Sequence, residues 1–140
     1  MKSTPSVNSA FGIPVYELQI NDFENYQDEL IRLILDMREQ DPGRKVSNQG
    51  GWHSKNDLHQ SEATAIAWLI AEINRNALSC IKHSKTVYPN AKVGLASCWA
   101  NVNEAGDWNA PHAHFPADWS GVCYIPVSYT HLTLPTILLV

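Results

Sequence analysis

Residues 109–125 read NAPHAHFPADWSGVCYI, and the fold is read outward from them. Two histidines, His112 and His114, stand one residue apart just ahead of a segment, SGVCYI, that reads as a β-strand. Side chains of an extended chain alternate sides, so positions i and i+2 point the same way with Cα atoms roughly 6.5–7 Å apart. On that spacing two imidazoles can converge on one ion at about 2.0–2.1 Å. On a helix the same pair would diverge by about 200°. Pro111 holds Ala110 extended and keeps a helix from leading into the pair. His112 and His114 are therefore candidate metal ligands. A surface or core pair of histidines beside a loop is the alternative.

Upstream, KVGLASCWANVN (92–103) reads as a further strand. Val93, Leu95, Ser97, Trp99, Asn101 and Asn103 would share one face, and Gly94, Ala96, Cys98, Ala100 and Val102 the other. The stretch EAGDWNAP connects this strand to the histidines, with Gly106 placed to let the loop turn back. Trp108 and Trp119 are positioned to wall the site and exclude water. Asn101 and Asn103 carry carboxamides that could bond an anionic ligand. Cys98 and Cys123 read as small buried hydrophobes.

Toward the N-terminus, IPVYELQI (13–20) alternates Val15, Glu17 and Gln19 against Tyr16, Leu18 and Ile20, the pattern of a short strand. Asn21 or Asp22 is expected to cap a helix running through about Glu39. Phe23, Tyr26, Leu30, Leu33, Ile34 and Met37 form its apolar stripe, and Asp41-Pro42-Gly43 stops it. The polar, glycine-marked RKVSNQGGWHSKNDLHQ (44–60) reads as a loop or irregular crossing, its His53 and His59 as loop histidines rather than ligands. A second helix over about 61–83 has Ala65, Trp68, Leu69, Ile73, Ala77, Leu78 and Ile81 on its apolar face. His83 suits its C-terminal dipole. VYPNAK (87–92) reads as a turn. One strand, two helices and then accumulating strands describe an α+β fold with helices on one face of an antiparallel sheet.

Bulk properties narrow the function. A chain of 140 residues with 44% apolar and 17% charged side chains has the make-up of one globular domain. Net charge is −4 with a pI near 5.8, and no Lys/Arg cluster exceeds two neighbours. That excludes a basic footprint for nucleic acid or an anionic membrane. Cys80, Cys98 and Cys123 are odd in number and unpatterned, which fits reduced thiols and a cytoplasmic location. The first residues contain no unbroken apolar run of the signal-peptide kind, and no segment nears the ~18 apolar residues of a membrane helix. The expected partner is a small-molecule or peptide substrate.

Three blocks in order, GGWHSKNDLH (50–59), CWANVNEAGDWN (98–109) and HAHFPADWSGVCYI (112–125), resemble a family of 2-oxoglutarate/iron(II)-dependent oxygenases. Its hallmarks are a Gly-Gly-Trp-x-Ser loop, a Trp-x-Asn-x-Asn strand and His-x-His-Pro…Ser-Gly-Val-x-Tyr. The resemblance covers roughly residues 48–125; Phe115 separates His114 from Pro116, a departure from the His-x-His-Pro spacing. It implies an incomplete double-stranded β-helix (jelly roll, cupin-like) carrying the N-terminal strand and the two helices. It also implies Fe(II) in a facial triad and 2-oxoglutarate as co-substrate, with oxidative decarboxylation coupled to substrate hydroxylation. His112 then takes the first ligand position and His114 the position usually acidic, with Asp118 a possible substitute carboxylate. Asn103 falls where related enzymes contact the co-substrate. The distal histidine and the arginine for the 2-oxoglutarate carboxylate would lie beyond Pro126.

Two other readings stand beside this one. Gly106-x5-His112-x-His114-x3-Asp118 approximates the first motif of a cupin, a metalloprotein that works without 2-oxoglutarate. A double-stranded β-helix without metal, acting as a binding or structural protein, would accommodate His114 in the acidic position.

The last stretch differs from the rest. VSYTHLTLPT (127–136) resembles, residue for residue, the translated mosaic-end adapter of transposase-based sequencing libraries, and Pro126 and Ile137 have codons compatible with its flanks. The expectation is that 1–126 is the N-terminal part of a single oxygenase-like domain and 127–140 a non-native tail. His131 is set aside as a ligand on that ground. Sheet edges near 93–103 and 120–125 are then expected to be unpaired, with any order in the tail opportunistic, and the truncated chain to be inactive.

Overall fold

The computed structural model describes residues 6–10, 12–84, 94–125 and 136–138. Its first element is a hairpin of β1 (Ser6–Ala10) and β2 (Ile13–Glu17), antiparallel, with Val7 opposite Tyr16 and Ala10 opposite Ile13. Only the second strand is legible beforehand, because SVNSA holds a single β-branched residue and no alternation. Tyr16, Leu18 and Ile20 are half-buried and Val15, Glu17 and Gln19 exposed, as the alternation predicts. The strand nevertheless ends at Glu17 rather than Ile20.

The first helix begins later than expected. Asp22 adopts the left-handed region at φ 58° and makes no side-chain cap, so Phe23–Asn25 forms a 3₁₀ turn instead. The helix α1 then runs Gln27–Gln40, burying Leu30 and Ile34, with Phe23, Tyr26, Leu33 and Met37 packed at the margin of the same core. Asp41 leaves it in extended conformation, and the Asp41 carboxylate accepts the Gly43 N–H at 2.8 Å. Gly43 has φ 76°, and a Cβ there would lie 2.6 Å from the Trp52 indole. Only glycine fits that turn. The second helix, α2 (Thr64–His83), starts three residues later than expected: a 3₁₀ turn at Leu58–Gln60 precedes it, and Ser61 and Ala63 are extended. Ala65, Leu69, Ile73 and Ala77 are buried and Trp68 is partly buried, but Leu78 is 40% exposed and falls outside the face assigned to it. Ile66 and Cys80 are buried in its place. The turn read at 87–92 lies outside the described residues.

The polar crossing of residues 44–60 contains two short strands. β3 (Asn48–Gln49) and β4 (Trp52–His53) each find a partner far along the chain. The strand expected over 92–103, of which 92 and 93 are not described, is two pieces, β5 (Ser97–Cys98) and β6 (Asn101–Val102). β4 pairs antiparallel with β6, Trp52 opposite Val102 and His53 opposite Asn101. Ser54 spans the break between the pieces: its N–H donates to Ala100 O at 2.9 Å and its Oγ accepts the Ala100 N–H at 2.9 Å. β3 pairs antiparallel with β7 (Trp108–Asn109), Asn48 opposite Asn109.

Cys98, Ala100 and Val102, one predicted face of this segment, are at most 1% exposed and meet Leu30, Ile34, Ala65, Ile66, Leu69 and Ile73 in one core with Trp52, Leu58 and Ile125. Trp99, Asn101 and Asn103 on the other face are buried too, so both sides of 98–103 are covered. The result is an α+β arrangement of two helices and small antiparallel sheets.

β8 (Gly121–Val122) and β5 do not pair with each other. β9 (Thr136–Leu138) lies between them, antiparallel to both, with Ile137 opposite Cys98 on one side and Gly121 on the other. The edges expected to be bare at 97–98 and 121–122 are therefore covered. A β-branched run adds readily to any edge that offers its N–H and C=O groups.

Candidate functional site

The β3–β7 and β4–β6 ladders bring residues 44–56 and 110–117 together around Trp99. Between them is an open cavity of about 620 Å³, lined by Arg44, His53, Trp99, His112, His114 and Phe115 among others. Its rim is pinned by two backbone bonds: Ala110 N–H to Ser47 O and Arg44 N–H to His53 O, each 2.8 Å.

The histidine pair lies on irregular chain between β7 and β8, not in a ladder. A turn closes directly after it, with Ala117 N–H donating to His114 O at 2.8 Å. Pro111 and Pro116 deny this stretch two of the N–H groups a ladder needs. The two imidazoles still come together, with centroids 4.5 Å apart and planes at 84°. His112 Nδ1 lies 2.6 Å from Ala110 O. A carbonyl only accepts, so Nδ1 carries the proton and Nε2 of the neutral ring keeps its lone pair. His53 is fixed the same way, its Nδ1–H donating to Ser54 O at 2.6 Å. The His53 ring stacks on Trp99 at 5.3 Å and 13°, and His114 lies on Trp99 at 5.6 Å and 43°. His53, expected as a loop histidine, stands on β4, is hydrogen-bonded and 4% exposed, and lines the cavity.

Burial pushes the His53 pKa below the usual histidine range and the positive charge of Arg44 acts in the same direction, against the opposing effect of the bond to Ser54 O. Burial also lowers His114, with His112 adding to it. Both rings therefore favour the neutral form, the form that ligates. Among the described residues lining the cavity there is no Asp or Glu.

Other expected participants fall elsewhere. Trp108 is 55% exposed and Trp119 packs against Tyr16 at 5.6 Å; neither lines the cavity, and Trp99 is the indole that does. Asp118 is exposed and also off the cavity wall. Asn103 is buried beside Gly51 rather than lining the cavity, and its Oδ1 has no hydrogen-bond partner. Gly51, at φ 61°, leaves no room for a Cβ against that carboxamide. His59 is half-buried with an unpartnered Nδ1. Arg44, His53 and Trp99 were not singled out from the sequence as site residues; the signal for His53 was its place beside Trp52 in the Gly-Gly-Trp block.

Among the described residues, no group of three His, Cys, Asp or Glu side chains is arranged to hold a metal ion. Cys80, Cys98 and Cys123 are free thiols. No described helix is long and apolar enough to cross a membrane. No protein family, curated protein or solved structure matches the chain.

Proposed function

We propose that residues 1–126 are the N-terminal part of a non-haem Fe(II)/2-oxoglutarate-dependent oxygenase domain, with 127–140 foreign to it. In this reading the short antiparallel strands belong to a double-stranded β-helix that later strands would complete. The observation that carries it is the His112 tautomer. Its Nδ1 proton is spent on a backbone carbonyl, the outer-sphere arrangement typical of metal-ligating histidines. The His114 ring is its neighbour at 4.5 Å.

Those two residues fit two corners of a facial triad; a third is absent among the described residues. His112 and His114 would hold the iron; Asn103, which the resemblance makes a co-substrate contact, is buried beside Gly51 off the cavity wall and has no such role in this reading. Iron with 2-oxoglutarate and dioxygen would supply oxidative decarboxylation coupled to hydroxylation of a substrate C–H bond. The chain's own residues would do the rest. Ala110 O orients His112, Trp99 walls His114 and keeps water from it, and burial holds the imidazole neutral. With no carboxylate on the wall, the negative charge to balance Fe(II) would come from the co-substrate dianion.

An anaerobic Fe(II) titration of the 140-residue chain tests this. We expect binding that His112→Ala and His114→Ala each remove, and no iron-dependent succinate formation by the incomplete site. Iron binding indifferent to both substitutions overturns the assignment. An uninterrupted reading frame with no histidine in the eighty or so residues after Ile125 would do the same.

A metal-free binding module is the second reading, and the carboxylate-free wall favours it. It predicts a folded chain with no Fe(II) site. The cupin reading receives less support, since Asp118 lies off the cavity.

A further inference from the structure

Four arginines stand in the chain, and three of them reach a carboxylate. Arg32 pairs with Asp36 at 3.6 Å, Arg38 with Glu104 at 3.5 Å, and Arg75 with Glu72. Arg44 has no carboxylate partner among the described residues. Its backbone is anchored, the N–H bonded to His53 O at 2.8 Å, and its exposed side chain lines the cavity. Its guanidinium is close enough to His53 for its charge to disfavour protonation of that ring.

The wall around it is unusual in what it combines. Ser47, Asn56 and Ser97 offer neutral hydrogen-bonding groups, while Val46, Trp99 and Phe115 are apolar, and Phe115 is 94% exposed at the rim. A guanidinium presents a planar fork of donors that matches a carboxylate, and it is most selective where no protein carboxylate competes for it. Among the described lining residues one is an arginine, none is an aspartate or glutamate, and Val46, Trp99 and Phe115 are apolar, a combination that fits an amphiphilic anion.

We propose that this cavity binds an organic monocarboxylate, its carboxylate on the Arg44 guanidinium and its apolar body along Trp99 and Phe115. The inference is independent of the iron reading, since it uses neither a metal nor the His112–His114 pair.

The test uses the 140-residue chain in EDTA. Phenylacetate and its neutral isostere phenylacetamide are titrated separately and followed by tryptophan fluorescence and amide NMR shifts. The acid should bind roughly tenfold more tightly than the amide, the worth of one charge-assisted pair. Arg44→Gln should bring the acid to the affinity of the amide, leave the amide unchanged and leave the thermal midpoint unmoved. Equal binding of acid and amide, an acid preference that survives in Arg44→Gln, or no binding of the acid overturns the proposal. 2-Oxoglutarate is run as competitor. Displacement of phenylacetate at lower concentration than phenylacetate itself requires would assign the guanidinium to a keto diacid and overturn the monocarboxylate. Weaker competition supports it. Fe(II) binding is measured apart, so failure of either reading leaves the other's outcome legible.

Discussion

The indole of Trp99 stacks on the imidazole of His53, 5.3 Å between centroids and 13° between planes. Trp99 sits in the segment between β5 and β6 and His53 on β4, so this contact ties the central chain to the Gly-Gly-Trp crossing directly under the cavity. Trp99 is 6% exposed, and its removal would leave a large void between two histidines. Trp99→Ala should cost about 3 kcal/mol of stability, and Trp99→Phe clearly less. Urea unfolding followed by far-UV circular dichroism measures both; equal midpoints for wild type and Trp99→Ala would contradict the packing described.

Gly43 and Gly12 separate backbone strain from steric conflict. Both have positive φ, 76° and 80°, but a Cβ at Gly43 meets Trp52 at 2.6 Å whereas one at Gly12 meets nothing within 4 Å. Gly12→Ala should lose only the backbone preference, about 1 kcal/mol. Gly43→Ala should lose about 2 kcal/mol or more, since the indole whose Nε1–H donates to Asp41 O at 2.8 Å must shift. Similar losses in the two variants would show that the Trp52 contact is not limiting.

Acid should weaken the fold at the pH of histidine titration. His53 and His114 have pKa values held below the ordinary histidine value of 6.5, chiefly by burial. The unfolded chain therefore takes up protons that the folded chain refuses, and stability rises with pH across that window. The contribution is fully present above about 6.5 and lost as pH falls through the folded values. Urea midpoints should fall between about pH 7.5 and 5.5, and less so in His53→Gln; a flat profile would refute the burial of these rings.

Thiol chemistry should be slow in the native chain. Burial pushes Cys98 up to about 12 and Cys123 up to about 11, and raises Cys80 as well. The thiolate is the nucleophile, so almost none is present at pH 8. Iodoacetamide labelling read by mass spectrometry should be slow at all three and accelerate on adding denaturant. Rapid labelling of Cys98 in the folded chain would be incompatible with its zero exposure.

What was legible in the sequence was periodic and local. The stripe from Phe23 to Met37 and the Asp41-Pro42-Gly43 stop need only neighbouring residues to be read. The same holds for the Cys98/Ala100/Val102 face. The site was less legible because its wall depends on pairings between distant segments. Ser54 meets Ala100 across 46 residues, and Ser47 meets Asn109 across 62. Nothing in NQGGWH announces that two-residue strands will put His53 against Trp99. Leu78 misled for the converse reason: it fits the helical period, but it is 40% exposed while its neighbours Ala77 and Cys80 are the residues buried at that level of α2.

β9 has a position out of proportion to its three residues. Both of its edges are occupied, Ser97 and Cys98 along one and Gly121 and Val122 along the other. It acts as a tenon in a mortise, so that withdrawing it frees two edges at once. A protease that trimmed the chain after Ile125 would leave two bare borders, at 97–98 and 121–122. Trimmed chains should thus associate more readily than intact ones.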